Sequence, residues 1–273
     1  MNYSILAFFE KKSIVTILHD SNVQILKDKE IQKINQIWKQ YSKNTNLYNG
    51  ELCNFNDFKI DDTNMIITTS KTNYAAYLAR QSNKINSNIH QKIKPLTVGA
   101  VAVTSDYKII IGKRSNDLVA PNKITPLPQG FITPYKKSQI NPISILIDKL
   151  NKELNISEQY IENLVPGGLV KDKFYGHLML IFFIYLKNIN SNQIFELWKE
   201  SSMKVLNESI WFIDCDKNIV TEFLFSQFDN LTGDAVGSLI LFGKYNFGNT
   251  WYQKVLNQLV DYINPAILEI TQE

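Results

Sequence analysis

The residues whose types and spacing could do chemistry lie in the middle of the chain: Arg114, Gln129, Gly130, Asp148, Lys149, Lys152 and Glu153. In a helix over Asp148–Ile156, Lys149, Lys152 and Glu153 fall at i, i+3 and i+4 and point together, while Leu150 and Leu154 share another face. A carboxylate so placed can hold a hard divalent cation, whereas ammonium groups can hold phosphate oxygens directly. Asp148 sits ~100° round the helix from Lys149, and a carboxylate from elsewhere, such as Glu162, Asp172, Glu222 or Asp234, could approach as well. A second reading makes the helix face a solvated one, with Asp148–Lys152 and Lys149–Glu153 pairs worth only about 0.3–0.5 kcal/mol each. Gly130 ends a tight Pro-Gln-Gly turn, where it either permits positive φ or faces a substrate, and Gln129 adds a side-chain amide. His19, His90 and His177 fall on different elements without ligand spacing and read as structural or exposed.

These groups need elements to position them. Leu96–Val103 and Lys108–Ser115 read as an apolar hairpin that ends in the basic Arg114. Val165–Lys171 and His177–Leu186 read as strands, with Gly167-Gly168 as a bulge or a close approach of backbone to ligand. Ser191–Lys204 is helical, Val205–Ile213 is a strand, and helices over Val220–Phe228, Gly233–Phe242 and Thr250–Leu268, the last interrupted near Pro265, close the chain. Upstream, Tyr3–Phe9 and Ser13–His19 read as a hairpin turning at Glu10-Lys11-Lys12, covered by an amphipathic helix over Lys27–Tyr41. Leu52–Ile60 and Asn64–Thr69 are strand-like around an Asp61-Asp62 turn, and Thr72–Asn83 is a helix. Lys84–Lys94 is polar and reads as a linker, which puts a domain boundary near Pro95.

Composition narrows the classes. The chain has 273 residues, 44% of them hydrophobic and 12% aromatic, enough for a packed core. A net charge of +3 is too small to argue for nucleic acid or an anionic membrane, so any anion site must be local. Cys53 and Cys215 are far apart and fit buried thiols in a reducing cytoplasm. No basic segment precedes Ile5–Phe9, so a signal peptide is not expected. The longest apolar run, Leu178–Leu186, is well short of the ~20 residues of a membrane-spanning helix.

Gly130 together with Asp148–Ile156 resembles the box of the Nudix hydrolases, G-x5-E-x7-R-E-U-x-E-E-x-G-U, once about four extra residues are allowed within Tyr135–Pro142. Gly130, Leu150, Glu153 and Ile156 agree with it. Asp148 stands at the family's Arg, Lys149 and Lys152 at metal-binding Glu positions, and Asn155 at a Gly. The hairpin ending in Arg114-Ser115 is also similar. Tyr48-Asn49-Gly50-Glu51-Leu52 resembles a segment of the animal branch that hydrolyses UDP-glucose. The resemblance implies an α/β protein, with a Nudix-like α/β/α sandwich over residues 95–273 preceded by a small α+β domain over 1–94. It implies a nucleotide-type ligand, a nucleoside diphosphate linked to another group. Mg²⁺ or Mn²⁺ would be held by Glu153 and Asp148 if the protein is active, with Glu153 catalytic. Arg114, Gln129, Gly130, Lys149 and Lys152 would then bind substrate. If the metal site is lost, Lys149, Lys152 and Arg114 supply the positive charge themselves and the fold is a nucleotide-binding or protein-interaction module without a cofactor.

Overall fold

The structure is a computed structural model, and it describes residues 2–9, 14–43, 48–61, 64–82, 84–116, 119–134 and 138–263. The N-terminal part runs β1 (Tyr3–Phe8), β2 (Ile14–Gln24), α1 (Asp28–Ser42), β3 (Glu51–Ile60), β4 (Asn64–Asn73), α2 (Tyr74–Gln81) and α3 (Ser87–Lys92). The middle runs β5 (Leu96–Val103), β6 (Lys108–Arg114), β7 (Ile124–Pro126), β8 (Gln129–Phe131), β9 (Gln139–Ile140) and α4 (Pro142–Leu154). The remainder is β10 (Ile161–Asp172), β11 (Leu178–Leu186), α5 (Ser191–Lys199), β12 (Asn207–Asp214), α6 (Lys217–Ser226) and α7 (Gly233–Ile263), which breaks at Gly248.

An eight-stranded sheet in the order β1-β10-β11-β5-β6-β12 forms the centre, with β7 added to β6 and β8 to β5. Alternate residues of its strands face opposite ways, as the pleat requires. From β11, Leu180, Phe182 and Ile184 join a core with Leu146, Leu150 and Leu154 of α4 and Ile194 and Trp198 of α5. Its Ile181 and Phe183 join Val220 and Leu224 of α6 and Leu239 and Phe242 of α7 on the other side. The result is an α/β/α sandwich. A smaller sheet, β3-β4-β2-β9, adds Ile17, Met65 and Ile67 to the first core.

Near the site the large sheet opens. Strands β5 and β6 pair only at Val103–Ile109. Beyond that point β5 pairs with β8, Val98 opposite Gly130, and β6 pairs with β7, Ile111 opposite Pro126. The two short strands, joined through a cis Leu127–Pro128 bond, occupy the gap and carry Gln129 and Gly130 into it.

Three expectations are corrected. The N-terminal hairpin does not form: β1 pairs antiparallel with β10, whereas β2 pairs with β4 and β9 in the other sheet. The reason is that β1 is apolar on both faces, with Ala7 in one core and Tyr3 in the other, which suits a strand covered on both sides. Its expected turn at residues 10–12 lies outside the described residues, as do Asp62, residues 135–137 and Pro265. The segment 84–94 is not an open linker, because Asn86 caps α3 through its side chain and Ile85, Ile89 and Ile93, four apart, are buried against α1 and α2. Helix α4 begins at Pro142, well before Asp148, with Asn141 accepting a hydrogen bond from the Ile143 N–H. At Gly167-Gly168 the bulge is present, and a side chain at Gly168 would meet the Ala7 carbonyl oxygen at 2.2 Å.

Asn155 closes α4 in the left-handed conformation, φ 57° and ψ 32°, and donates its N–H to the Asn151 carbonyl. Asn tolerates this region where a β-branched residue does not. Asn155→Val is expected to cost about 1–2 kcal/mol in urea unfolding and Asn155→Gly close to nothing.

Candidate functional site

The opening between β5 and β6 leads into a cavity of ≈ 600 Å³, closed on its far side by α2 and the segment Tyr48–Leu52 of the smaller unit. Its wall includes Arg114, Gln129, Gly130, Lys149 and Glu153, so the fold brings together most of the residues singled out by type and spacing. Asp148 and Lys152 are not in that wall. They form an i, i+4 ion pair of 2.8 Å with both side chains nearly half exposed. The expected roles of Asp148 as a metal ligand and of Lys152 at a phosphate are therefore not supported, because the helix turns both groups outward once Leu150 and Leu154 face the core.

Glu153 is 2% exposed. Its Oε2 accepts the Gln129 N–H at 3.3 Å, and its Oε1 has no hydrogen-bond partner among the described residues. Burial pushes its carboxyl up to about 7, against the opposing pull of Lys149, the Gln129 amide and Arg114. Gly130 does not have the positive φ that a tight turn would need. It lies against a neighbour instead: a Cβ there would come 2.6 Å from Cε of Lys149, a flexible side chain that runs across it and would have to shift. Lys149 therefore reaches the cavity over a bare stretch of backbone. The Gln129 side chain is held by the Thr125 hydroxyl, which donates to its Oε1 at 3.1 Å.

Arg114, at the end of β6, donates from Nε to the Val119 carbonyl at 3.0 Å. Its Nη atoms have no protein partner among the described residues, and neither has Nζ of Lys149. The same wall carries aromatic side chains: Tyr77 and Phe131 make an edge contact with centroids 5.1 Å apart, and Tyr74 lies 6.1 Å from Phe131.

A second polar group was missed from the sequence. Asp172 and Asp234, two of the carboxylates considered as outside contributors, do come together, but with His177 rather than with Glu153. Asp172 Oδ1 accepts the Tyr175 N–H at 2.7 Å, and Oδ2 accepts those of Gly233 and Asp234 at the start of α7. His177 Nε2 is 3.4 Å from Asp234 Oδ2, and its Nδ1 is 3.5 Å from the Tyr77 hydroxyl. Burial and the neighbouring Asp234 raise the Asp172 carboxyl. For His177 the lowering effect of burial is outweighed by its hydrogen bond to Asp234, so its pKa is raised. For Asp234 burial is outweighed by His177 and the carboxyl is held low. The signal available in the sequence was the short connection between two apolar strands, which sets Asp172 opposite His177 in a hairpin.

The Mg²⁺ or Mn²⁺ site expected on the box helix does not fit these residues. A hard divalent ion requires several oxygen ligands, and Glu153 offers one free oxygen with the Lys149 ammonium beside it. Among the described residues, the one trio of His, Cys, Asp or Glu close enough to share an ion is Asp172, His177 and Asp234.

Among solved structures the chain is similar to a Nudix hydrolase from Nitrosomonas europaea, with a TM-score of 0.38 and 13% identity over 55% of this chain and 88% of that one. It is similar to DR0079 from Deinococcus radiodurans, with a TM-score of 0.36 and 12% identity over 53% and 80%. A bifunctional NMN adenylyltransferase/ADP ribose pyrophosphatase from Francisella tularensis, crystallised with AMP and a Mn ion, gives 0.35 and 14% over 56% and 42%. No protein-family model and no curated protein sequence matches. Likenesses of this size assign no role to any residue of this chain.

A carboxyl whose folded pKa is raised stabilises the fold fully below its ordinary value of 4.5 and loses that contribution as the pH climbs through about 7. Over that interval Glu153 should remove up to roughly 3 kcal/mol of stability. Glu153→Gln is thus expected to melt higher than the unaltered protein at pH 8 and close to it at pH 4. Equal melting temperatures at pH 8 would show that Glu153 is not desolvated as described.

Proposed function

We propose that the cavity binds a nucleoside diphosphate linked to another group, of UDP-sugar or ADP-ribose type, and that it does so without a metal ion on the box helix. The observation that carries this reading is the pair of cations, Arg114 and Lys149, that line one cavity and whose Nη and Nζ atoms make no hydrogen bond or ion pair among the described residues. Such groups match the charge and geometry of phosphate oxygens, Arg as a planar fork and Lys as a point charge. Glu153, with a pKa near neutrality, can carry a proton and donate it in a hydrogen bond to a third phosphate oxygen. The aromatic wall of Tyr74, Tyr77 and Phe131 gives a base or sugar an apolar surface. Tyr48, Gly50 and Leu52, from the segment similar to the UDP-glucose branch, also border the cavity and favour the UDP-sugar form of the proposal.

In this reading the chain is a Nudix-like binding module. Hydrolysis through Glu153 would require further oxygen ligands around one ion, and the residues beside it are cationic. No described helix is long and apolar enough to cross a membrane. The free state of Cys53 and Cys215 supports a reducing compartment such as the cytoplasm.

Thermal melting with UDP-glucose or ADP-ribose in EDTA tests the proposal, since a ligand bound only by the native state must raise the melting temperature. The expected result is a shift that EDTA leaves intact and that Arg114→Ala or Lys149→Ala weakens by at least about tenfold in affinity, or 1.4 kcal/mol. No shift with either nucleotide, or metal-dependent cleavage that vanishes in Glu153→Gln, would overturn it.

A further inference from the structure

Asp172, His177 and Asp234 are 0%, 8% and 2% exposed, and one ligand atom from each lies within 4.8 Å of the others. Two buried carboxylates in contact need positive charge. Among the described residues no Lys or Arg ion-pairs with either; the one ion-pair partner is the imidazole, with Arg80 acting on Asp172 and Arg114 on Asp234 from further off. Asp234 Oδ1 is buried without a hydrogen bond of good geometry among the described residues, although the Thr232 side chain helps to hold that carboxylate low, and both Asp234 and His177 reach the wall of the cavity. An orphaned buried oxygen of this kind requires a donor or a cation. We propose that these three side chains form a site for one divalent transition-metal ion, separate from the box helix.

The geometry suits it. The 3.4 Å between His177 Nε2 and Asp234 Oδ2 is what two ligands of one ion show when each stands ~2.1 Å from it at a near-tetrahedral angle. Asp172 has capacity left, because a carboxylate offers about four acceptor positions and the three backbone amides leave one on Oδ1. The ion takes the place of the proton between His177 Nε2 and the Asp234 carboxylate, which can offer it Oδ1 together with Oδ2, and that proton leaves to solvent. The ring keeps its other hydrogen on Nδ1, directed at the Tyr77 hydroxyl. One imidazole nitrogen among carboxylates selects Zn²⁺, Co²⁺ or Mn²⁺ over Mg²⁺. The cavity provides the path by which the ion enters.

The inference stands apart from nucleotide binding and is tested with metal alone. Chelator-stripped protein is titrated with Co²⁺ and followed by visible absorption, with Zn²⁺ competition by calorimetry. One equivalent is expected to bind, unaffected by millimolar Mg²⁺, and His177→Gln and Asp234→Asn should each weaken binding at least about tenfold. Glu153→Gln should bind Co²⁺ as the unaltered protein does. Circular dichroism confirms that each variant is folded, and two isosteric variants guard against the loss of either one. The proposal is overturned if the unaltered protein binds no equivalent of Co²⁺ or Zn²⁺, if folded His177→Gln binds equally well, or if binding depends on Glu153.

Discussion

A sheet that is apolar on both faces has to be covered on both, and the rest of this structure follows from that requirement. All of β5 is buried, and β11 sends alternate side chains into two separate cores. Helix α4 must therefore lie flat on one face, held by Leu146, Leu150 and Leu154. Once it does, Lys149 and Glu153 are turned toward β8, and Asp148 and Lys152 toward solvent. The cavity arises where the covered sheet cannot continue, because β5 and β6 part after one residue pair and only short strands fill the space. Position, in this protein, is set by apolar packing and only then used by polar groups.

The polar groups divide the cavity electrically. One part holds Arg114 and Lys149 and attracts anions; another holds His177 and Asp234, with Asp172 behind them. The charge of Arg114 is felt at both, since it pulls down the carboxyls of Glu153 and Asp234 and also opposes protonation of His177. A low-dielectric interior strengthens such influence over distances at which water would screen it. An anion bound at Arg114 would thus relieve His177 as well as Lys149, so the two parts of the cavity are coupled by one guanidinium.

Much of this was legible in the sequence where local pattern and burial agree. The strands around Leu96–Val103 and Lys108–Arg114, the shared face of Leu150 and Leu154, and the convergence of Lys149 with Glu153 all follow from the two periodicities of strand and helix. The misreadings have physical causes. Adjacent strands β1 and β2 look like a hairpin because strand pairing is not written in either strand; the edge of β10, far along the chain, wins β1. Residues 84–94 look like a linker because Lys and Asn hide three isoleucines at helical spacing. Gly130 suggests a turn, yet it serves a neighbour's side chain, which no local pattern reveals. His177 looked isolated since its partners come from Asp172 across a short connection and Asp234 after two further helices.

The positions that follow the Nudix pattern and those that depart from it separate by what each does for the backbone. Leu150 and Ile156 fill the core, and Asn155 supplies the left-handed cap that a glycine would otherwise provide. Those are demands of folding. Lys152 makes none: it lies half exposed in an ion pair with Asp148, where exchanging a carboxylate for an ammonium changes stability little, and Lys149 lines the cavity instead. Glu153 is the exception, for it is buried, has an unpaired oxygen and costs stability at neutral pH. Folding does not explain a group that works against it. In the reading proposed above, a phosphate that accepts a hydrogen bond from the protonated carboxyl, beside two cations that face the cavity, would give that group its use.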